Sequence, residues 1–250
     1  MATIIAEEMG KPVTLGRMEV LKCAAACRYF AEHAEKMLGP TEFEVDGAKV
    51  YTRHDPTGPL LLIMPFNFPI WMPFKSASGH LMAGNTIILK HTERTPRVAE
   101  AIDAMTTEAG LEHEFKVIYP KVEDVESVIA NPKIVGTSLT GSVGAGKLVA
   151  SLSGKYMKKS VSELGGSDPF IVLADANIKE AAKAGVANRL MNTGQVCISS
   201  KRFIVDESIV QDFTDAVMEE MKLYEYSDPT TEECKLGPMA GDDLADNIER

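Results

Sequence analysis

The sequence predicts an α/β fold: a parallel sheet with helices on both faces. Three observations carry this. Short continuous apolar runs recur at Leu60–Met64, Thr86–Leu89, Phe115–Tyr119, Ile134–Leu139, Phe170–Leu173 and Arg202–Val205. Helical patterns lie between them at Arg97–Ala109, Val122–Ala130, Ala145–Leu152 and Lys179–Met191. A strand covered on both faces reads as an unbroken apolar run rather than as an alternation, and the helical crossover is what a parallel pair requires. Glycine, proline and asparagine gather just after the runs, and such sheets hold their ligands at the carboxyl ends of the strands. Function is therefore sought in the segment after each strand.

Ahead of the first run, Leu15 to Met37 reads as an amphipathic helix with Met18, Leu21, Ala25 and Phe30 near one stripe. Phe43–Val45 and Val50–Thr52 flank Asp46-Gly47, a hairpin signal. Across the 250 residues, 45% are apolar and 25% charged, as in ordinary globular proteins. The net charge of −10 argues against nucleic acid and anionic membranes as partners. Lys155, Lys158 and Lys159 form a small basic cluster, read as a solvated helix end. The longest apolar runs are too short to span a bilayer, and Glu7 and Glu8 stand where a signal peptide would be basic. Four cysteines make no disulfide framework. Cys23 and Cys27 share a helix face without a third metal ligand at suitable spacing, so they read as small core residues and no metal is expected. The cytosol is the expected compartment.

After Leu60–Met64 comes Pro65-Phe66-Asn67-Phe68-Pro69, where Asn67 is either an oxyanion donor or a helix cap. After Thr86–Leu89 come Lys90 and Glu93, which suit ribose hydroxyls or are a surface lysine and a helix-start glutamate. After Ile134–Leu139 comes Thr140-Gly141-Ser142-Val143-Gly144-Ala145-Gly146-Lys147, a glycine-rich turn opening a helix, whose free amides suit phosphate. It also matches the first seven positions of a phosphate loop, which makes a nucleotide hydrolase the rival reading. Leu148 stands where that loop needs a Mg²⁺-binding hydroxyl and counts against it. Glu163 precedes Leu164-Gly165-Gly166, either a carboxylate beside a close backbone approach or a solvent-facing residue before a turn. Cys197 ends the loop Asn192-Thr193-Gly194-Gln195-Val196, outside any periodic apolar slot, which leans towards reactivity.

Each signal alone is weak, but their order and spacing are specific. Pro65 to Pro69, Gly84-Asn85-Thr86 to Lys90, Thr140-Gly141-Ser142, Glu163 to Gly166 and Gly194 to Cys197 together resemble the aldehyde dehydrogenase superfamily, from about Glu7 to Gly237-Pro238. Gly165 to Phe170 and Lys201-Arg202-Phe203 are most similar to its succinate-semialdehyde branch. The resemblance implies a Rossmann-like cofactor domain and the start of a second α/β, catalytic domain. It implies aldehyde oxidation to the acid through Cys197 as nucleophile, Asn67 and the Cys197 N–H as oxyanion donors, and Glu163 as the base that hydrolyses the thioester. The implied cofactor residues are Ile63, Pro65, Phe66, Lys90, Glu93, Gly141, Ser142, Leu164 and Gly165. Glu93 repels a 2′-phosphate, favouring NAD, while Lys90 leaves room for NADP.

Phe66 stands where the family usually has Trp, Leu139 where it has Phe before Thr-Gly-Ser, and Ser167-Asp168 replaces a Lys-containing pair. These touch packing or cofactor contacts, not reacting groups. The implied organisation is an N-terminal helical part at 1–40, a remnant of the oligomer-forming hairpin region at 41–58, an NAD(P)-binding domain at 59–190 and the start of the catalytic domain at 191–250. The family's chains are longer and continue past a Glu-x-Phe-Gly-Pro segment. This sequence is accordingly read as a truncated or split product or a fragment, homo-oligomeric when whole, with a complementary C-terminal fragment as a further partner. A degenerate nucleotide-binding partner is the remaining alternative.

Overall fold

The computed structural model describes residues 1–249, and the first helices are α1 (Ala2–Met9) and α2 (Val13–Met37). A hairpin of β1 (Thr41–Val45) and β2 (Ala48–Thr52) follows. Next come β3 (Leu60–Ile63), α3 (Trp71–Met82), β4 (Ile87–Lys90), α4 (Pro96–Glu108) and β5 (Phe115–Ile118). The chain continues through α5 (Val125–Ala130), β6 (Gly136–Gly141), α6 (Val143–Lys155), β7 (Lys159–Leu164) and β8 (Asp168–Val172). It closes with α7 (Ile178–Leu190), β9 (Ser200–Val205), α8 (Val210–Met221) and α9 (Asp242–Glu249). These elements form two compact units, one of residues 18–163 and one of 1–17 with 164–250.

The unit of residues 18–163 is built on a five-stranded sheet of order β5-β4-β3-β6-β7. β3 runs parallel to both β4 and β6, and β4 parallel to β5. Relabelled by chain order, this is 3-2-1-4-5, a doubly wound sheet whose direction of winding reverses between β3 and β6. Leu61, Leu62, Ile87, Leu89 and Leu139 of the interior strands and Phe115 of the edge strand β5 are all sealed from solvent. Ala77 of α3, Val98 and Ile102 of α4, Ile129 of α5 and Val149 of α6 are buried with them. β7 differs, being polar and exposed for most of its length, and no apolar run announces it. A hydroxyl chain ties it in: Thr137 Oγ1 lies 2.8 Å from Ser153 Oγ and donates to Ser160 Oγ at 3.0 Å. The hairpin has the expected two-residue turn. Val45 pairs with Ala48, and Asp46 and Gly47 adopt left-handed φ of 51° and 79°, the geometry that follows the strand twist.

Two expectations for α2 are corrected. Met18 and Leu21 are 63% and 64% exposed, and Ala25 is exposed too. The buried positions of this helix are Val13, Gly16, Glu19, Cys23 and Ala34. Periodicity finds an apolar stripe but does not say which face meets a neighbour. Cys27, expected in the core beside Cys23, is exposed, with its sulfur 3.7 Å from Ser78 Oγ.

In the other unit, β8 and β9 do not join the large sheet but pair with each other in parallel. Val172, Ala182 and Phe213 form their core, with Phe170, Phe203 and Val205 packed against it. The Phe203 ring sits 5.4 Å from that of Phe170 and 5.9 Å from that of Phe213. Among the described residues, no helix is long and apolar enough to cross a membrane.

Candidate functional site

In the unit of residues 18–163, the carboxyl edge of the sheet gathers the residues that the sequence singled out. Asn67 lies in the loop that leaves β3, and Gly141 and Ser142 end β6, so they flank the point where the winding reverses. Ser142 is the N-cap of α6, its Oγ accepting from the Ala145 N–H at 3.2 Å. A side chain built on Gly141 would meet only Leu139 Cδ2, at 3.7 Å, so the space in front of the helix is open. An α-helical N-terminus with room before it fits a dinucleotide pyrophosphate.

The same turn disposes of the phosphate-loop reading. That loop would place the second glycine and the lysine where the chain enters its helix. Here α6 is already helical from Val143, and Lys147 is an exposed residue one turn inside it. Leu148 adds no hydroxyl.

A cleft of about 340 Å³ opens past β4 and β5, lined by Lys90, His91, Thr92, Glu93, Pro96 and Tyr119 among others. Lys90 is 8% exposed, not a surface lysine, and its Nζ reaches Glu93 Oε1 and the His91 carbonyl, each at 3.4 Å. Glu93 starts no helix, since α4 begins at Pro96, and its side chain is largely in solvent. The Phe66 ring has the Arg94 guanidinium 5.6 Å from its centre.

Asn67 does not cap α3; the buried Glu19 does. Glu19 is 4% exposed, and its Oε1 accepts from the Ile70 and Trp71 N–H groups at 2.9 and 2.8 Å. His91 holds the same loop from the other side. Its Nε2 lies 2.7 Å from the Pro69 carbonyl and its Nδ1 3.2 Å from Thr95 Oγ1. A carbonyl only accepts, so Nε2 carries the proton and Nδ1 accepts from Thr95. Burial is the main influence on this imidazole and pushes its pKa down, against smaller opposing contributions. Sequence reasoning named neither Glu19 nor His91. A carboxylate and an imidazole flanking an apolar segment give no periodic signal. Glu163, the last residue of this unit, is the penultimate residue of β7 and is exposed.

The other unit contains Leu164, Gly165 and Cys197. A Cβ on Gly166 would stand 3.5 Å from the Cys197 carbonyl, so the glycine pair runs close beside the cysteine. The loop before Cys197 is costly. Asn192, Thr193 and Gly194 have φ of 53°, 57° and 72° in succession. A non-glycine residue in this region costs about 1–2 kcal/mol. Surrounding bonds over-determine the turn. Thr193 Oγ1 donates to the Gly237 carbonyl at 3.0 Å, and Gln195 Oε1 accepts from the Ala240 N–H at 3.0 Å. Gln195 Nε2 and its backbone N–H both donate to the Asn192 carbonyl, at 3.2 and 3.1 Å. Gly237 in turn lies so close to the Gly10 carbonyl that no larger residue fits. Past the cysteine, Asn188 Oδ1 takes the Ser200 N–H and hydroxyl at 2.6 and 2.9 Å. Lys201 Nζ reaches back to the carbonyls of Val196 and Cys197 at 3.0 and 2.7 Å. Lys201 enters the sequence reading only as a mark of the branch, not as a neighbour of Cys197. All four cysteines are free thiols, Cys23 and Cys234 buried and Cys197 half-buried. Among the described residues, no cluster of His, Cys, Asp and Glu is arranged to hold a metal.

Comparison with known proteins agrees with this geometry. A model of the aldehyde dehydrogenase family matches residues 1–250. The chain is 39% identical over 253 residues to succinate-semialdehyde dehydrogenase (NADP+) of Mycobacterium avium, covering 100% of this chain and 54% of that protein. It is 40% identical over 249 residues to succinate semialdehyde dehydrogenase (NAD(P)+) Sad of Escherichia coli, covering 99% of this chain and 54% of that one. The crystal structure of succinic semialdehyde dehydrogenase from Streptococcus pyogenes in complex with NADP+ superposes with a TM-score of 0.94 at 35% identity, covering 99% of this chain and 56% of that one. The chain thus spans about half the length of the curated relatives it matches.

Proposed function

The chain belongs to the aldehyde dehydrogenase family, and from that premise we propose that it serves NAD(P)-dependent oxidation of an aldehyde to its acid, with succinate semialdehyde as the substrate. The supporting observation is the reversal of winding between β3 and β6, which has the Asn67 loop on one side and the open, Ser142-capped helix on the other. Cys197 is proposed as the nucleophile, attacking the carbonyl as a thiolate. Its own N–H and the Asn67 amide are the proposed oxyanion donors, and Glu163 the base that draws a proton from water to release the acid from the Cys197 thioester. When bound, the nicotinamide supplies the hydride acceptor.

Gly141 and Ser142 would hold the pyrophosphate, Lys90 and Glu93 the adenosine ribose, and Ile63, Pro65, Phe66, Leu164 and Gly165 the remainder of the dinucleotide. Both dinucleotides are proposed. Glu93 favours NAD, whereas relatives named for NADP+ and the 3.4 Å Lys90–Glu93 contact favour a lysine that turns to a 2′-phosphate. The domain boundaries proposed are 1–40, 41–58, 59–190 and 191–250. A homo-oligomer, a complementary C-terminal segment and the cytosol complete the proposal. The test is NAD(P)H formation from succinate semialdehyde, run on the chain with Cys197 intact and as Cys197→Ala. Loss in the variant is expected. Equal turnover in both, or tighter binding of Mg·ATP than of dinucleotide, overturns the reading.

A further inference from the structure

A peptide plane joins the Val196 carbonyl to the Cys197 N–H, so whatever grips one orients the other. Lys201 Nζ donates to the Val196 carbonyl at 3.0 Å and to the Cys197 carbonyl at 2.7 Å. The ammonium therefore holds both successive peptide planes that flank the cysteine, sharing the Val196 carbonyl with the Ser199 N–H and hydroxyl at 3.3 and 3.0 Å. Among the described residues no carboxylate pairs with Lys201, so its charge acts on those two carbonyls without a counter-ion. An ammonium on a carbonyl oxygen also draws electron density along the amide, which makes the N–H at the other end of the plane a stronger donor. The preceding turn has two non-glycine residues in left-handed conformation, and a segment held so far from its preferred backbone keeps one orientation only where bonds enforce it. Thr193 and Gln195 anchor the turn ahead of the cysteine; Lys201 is the anchor on the cysteine's own carbonyl.

We propose that Lys201 is a positioning residue of the oxyanion hole, orienting and polarising the Cys197 N–H through the carbonyls on either side of it. This rests on the reading of Cys197 as the nucleophile. The distinguishing chemistry is a pair of reactions at one thiol. With iodoacetamide the thiolate forms a bond to the methylene carbon as the carbon–iodine bond breaks and iodide leaves, and no charge develops on a carbonyl oxygen. With para-nitrophenyl acetate the same thiolate adds to the carbonyl. The oxygen becomes anionic, then the carbon–oxygen bond to the aryl group breaks and para-nitrophenolate leaves an acetyl thioester. Only the second reaction uses an oxyanion donor.

Both rates are read at the Cys197 peptide by mass spectrometry, on the unsubstituted chain, Lys201→Met, Lys201→Gln and Lys201→Arg, each checked for fold by circular dichroism. Removing an entire oxyanion donor costs about 10²–10³-fold, so a misdirected one should cost roughly tenfold. The ratio of acylation to alkylation is expected to fall about tenfold in Lys201→Met and in Lys201→Gln, and to stay within about threefold in Lys201→Arg, which can still donate to both carbonyls. A ratio that does not change in the neutral variants overturns the proposal, whether or not both rates fall together, because a merely structural lysine slows both alike. An unsubstituted chain whose Cys197 alkylates but is not acylated overturns it as well. If Cys197 alkylates no faster than Cys27 in the unsubstituted chain, the nucleophile reading itself has failed, and the proposal with it.

Discussion

Glu19→Ala should be among the most damaging single changes outside the apolar core. The carboxylate is 4% exposed and receives the Ile70 and Trp71 N–H groups at 2.9 and 2.8 Å. The N-cap residue of α3, Ile70, has no side chain able to serve instead. Hydrogen bonds to a charged group contribute about 1.5–3 kcal/mol each, and both donors are left without their acceptor when the side chain goes. Two such losses come to about 3–6 kcal/mol. At roughly 2–4 °C per kcal/mol for a protein of this size, the melting midpoint should fall by on the order of 10 °C. Glu19→Gln keeps an acceptor oxygen but not the charge, so about half the loss is expected. Hydrogen exchange gives the local readout: the Ile70 and Trp71 amides should change from slow to fast in Glu19→Ala, well before the amides of β4. A midpoint within about 1 °C of the unsubstituted protein, with those two amides still slow, would refute the assignment of Glu19 as the cap.

Cys197 should alkylate faster than Cys23, Cys27 and Cys234 by peptide-mapped iodoacetamide labelling; Cys27, the more exposed thiol, is the demanding comparison, and its labelling first would end the assignment. Gly141→Val should weaken NAD(P) binding by tenfold or more in calorimetric titration while the far-ultraviolet dichroism stays unchanged, because bulk is added just ahead of α6 and a Cβ there makes only an ordinary contact, with Leu139 Cδ2 at 3.7 Å; unchanged affinity would refute it. His91 is neutral in the fold with its pKa held below the usual 6.5 by burial, so the unfolded chain binds more protons below that pH. Stability should be full above about pH 6.5 and fall as the pH drops towards the folded value. Melting midpoints across that range should show a smaller slope in His91→Gln, the remainder coming from His80, also lowered by burial; an unaltered slope would show that His91 does not titrate with unfolding.

How much of this is legible in the sequence depends on the contacts each residue makes. β3 and β4 are readable because interior strands sealed on both faces are mostly apolar; β5, an edge strand with Lys116 exposed, and β6, whose apolar signal is Ile134 and Val135 just ahead of it and Leu139 within it, are readable in part. β7 is not, because Lys159 to Leu164 is an exposed, largely polar strand and its evidence is the tertiary hydroxyl chain to Thr137. α3 escapes because Trp71, Pro73 and Gly79 obscure a helix whose start depends on a carboxylate 51 residues earlier. The apolar stripe of α2 is legible, but not which of its faces is covered. Gly141, Ser142 and Asn67 can be found because turn chemistry at a strand's end is local. The residues that hold such groups in place are distant in sequence or, as with Lys201, reach back to main-chain atoms that no side-chain pattern records.

Those supporting residues share one physical device. A charge is placed where main-chain dipoles converge. The Glu19 carboxylate takes two N–H groups three and four residues past Asn67, and the Lys201 ammonium takes the carbonyls on either side of the Cys197 amide. The signs are opposite because the dipole ends presented are opposite, N–H at a helix start and C=O in a turn. The consequences of removing them should differ for the same reason. The Glu19 bonds begin a helix with buried residues along it, so their loss should appear in global stability. The Lys201 bonds restrain a turn already anchored by Thr193, Gln195 and Asn188. Lys201→Met should therefore leave the melting midpoint within about 4 °C, since one partly exposed lysine contributes on the order of 1 kcal/mol, and still lower the acylation-to-alkylation ratio. A drop in midpoint as large as that of Glu19→Ala would mean that Lys201 holds the fold and not merely the cysteine's amide.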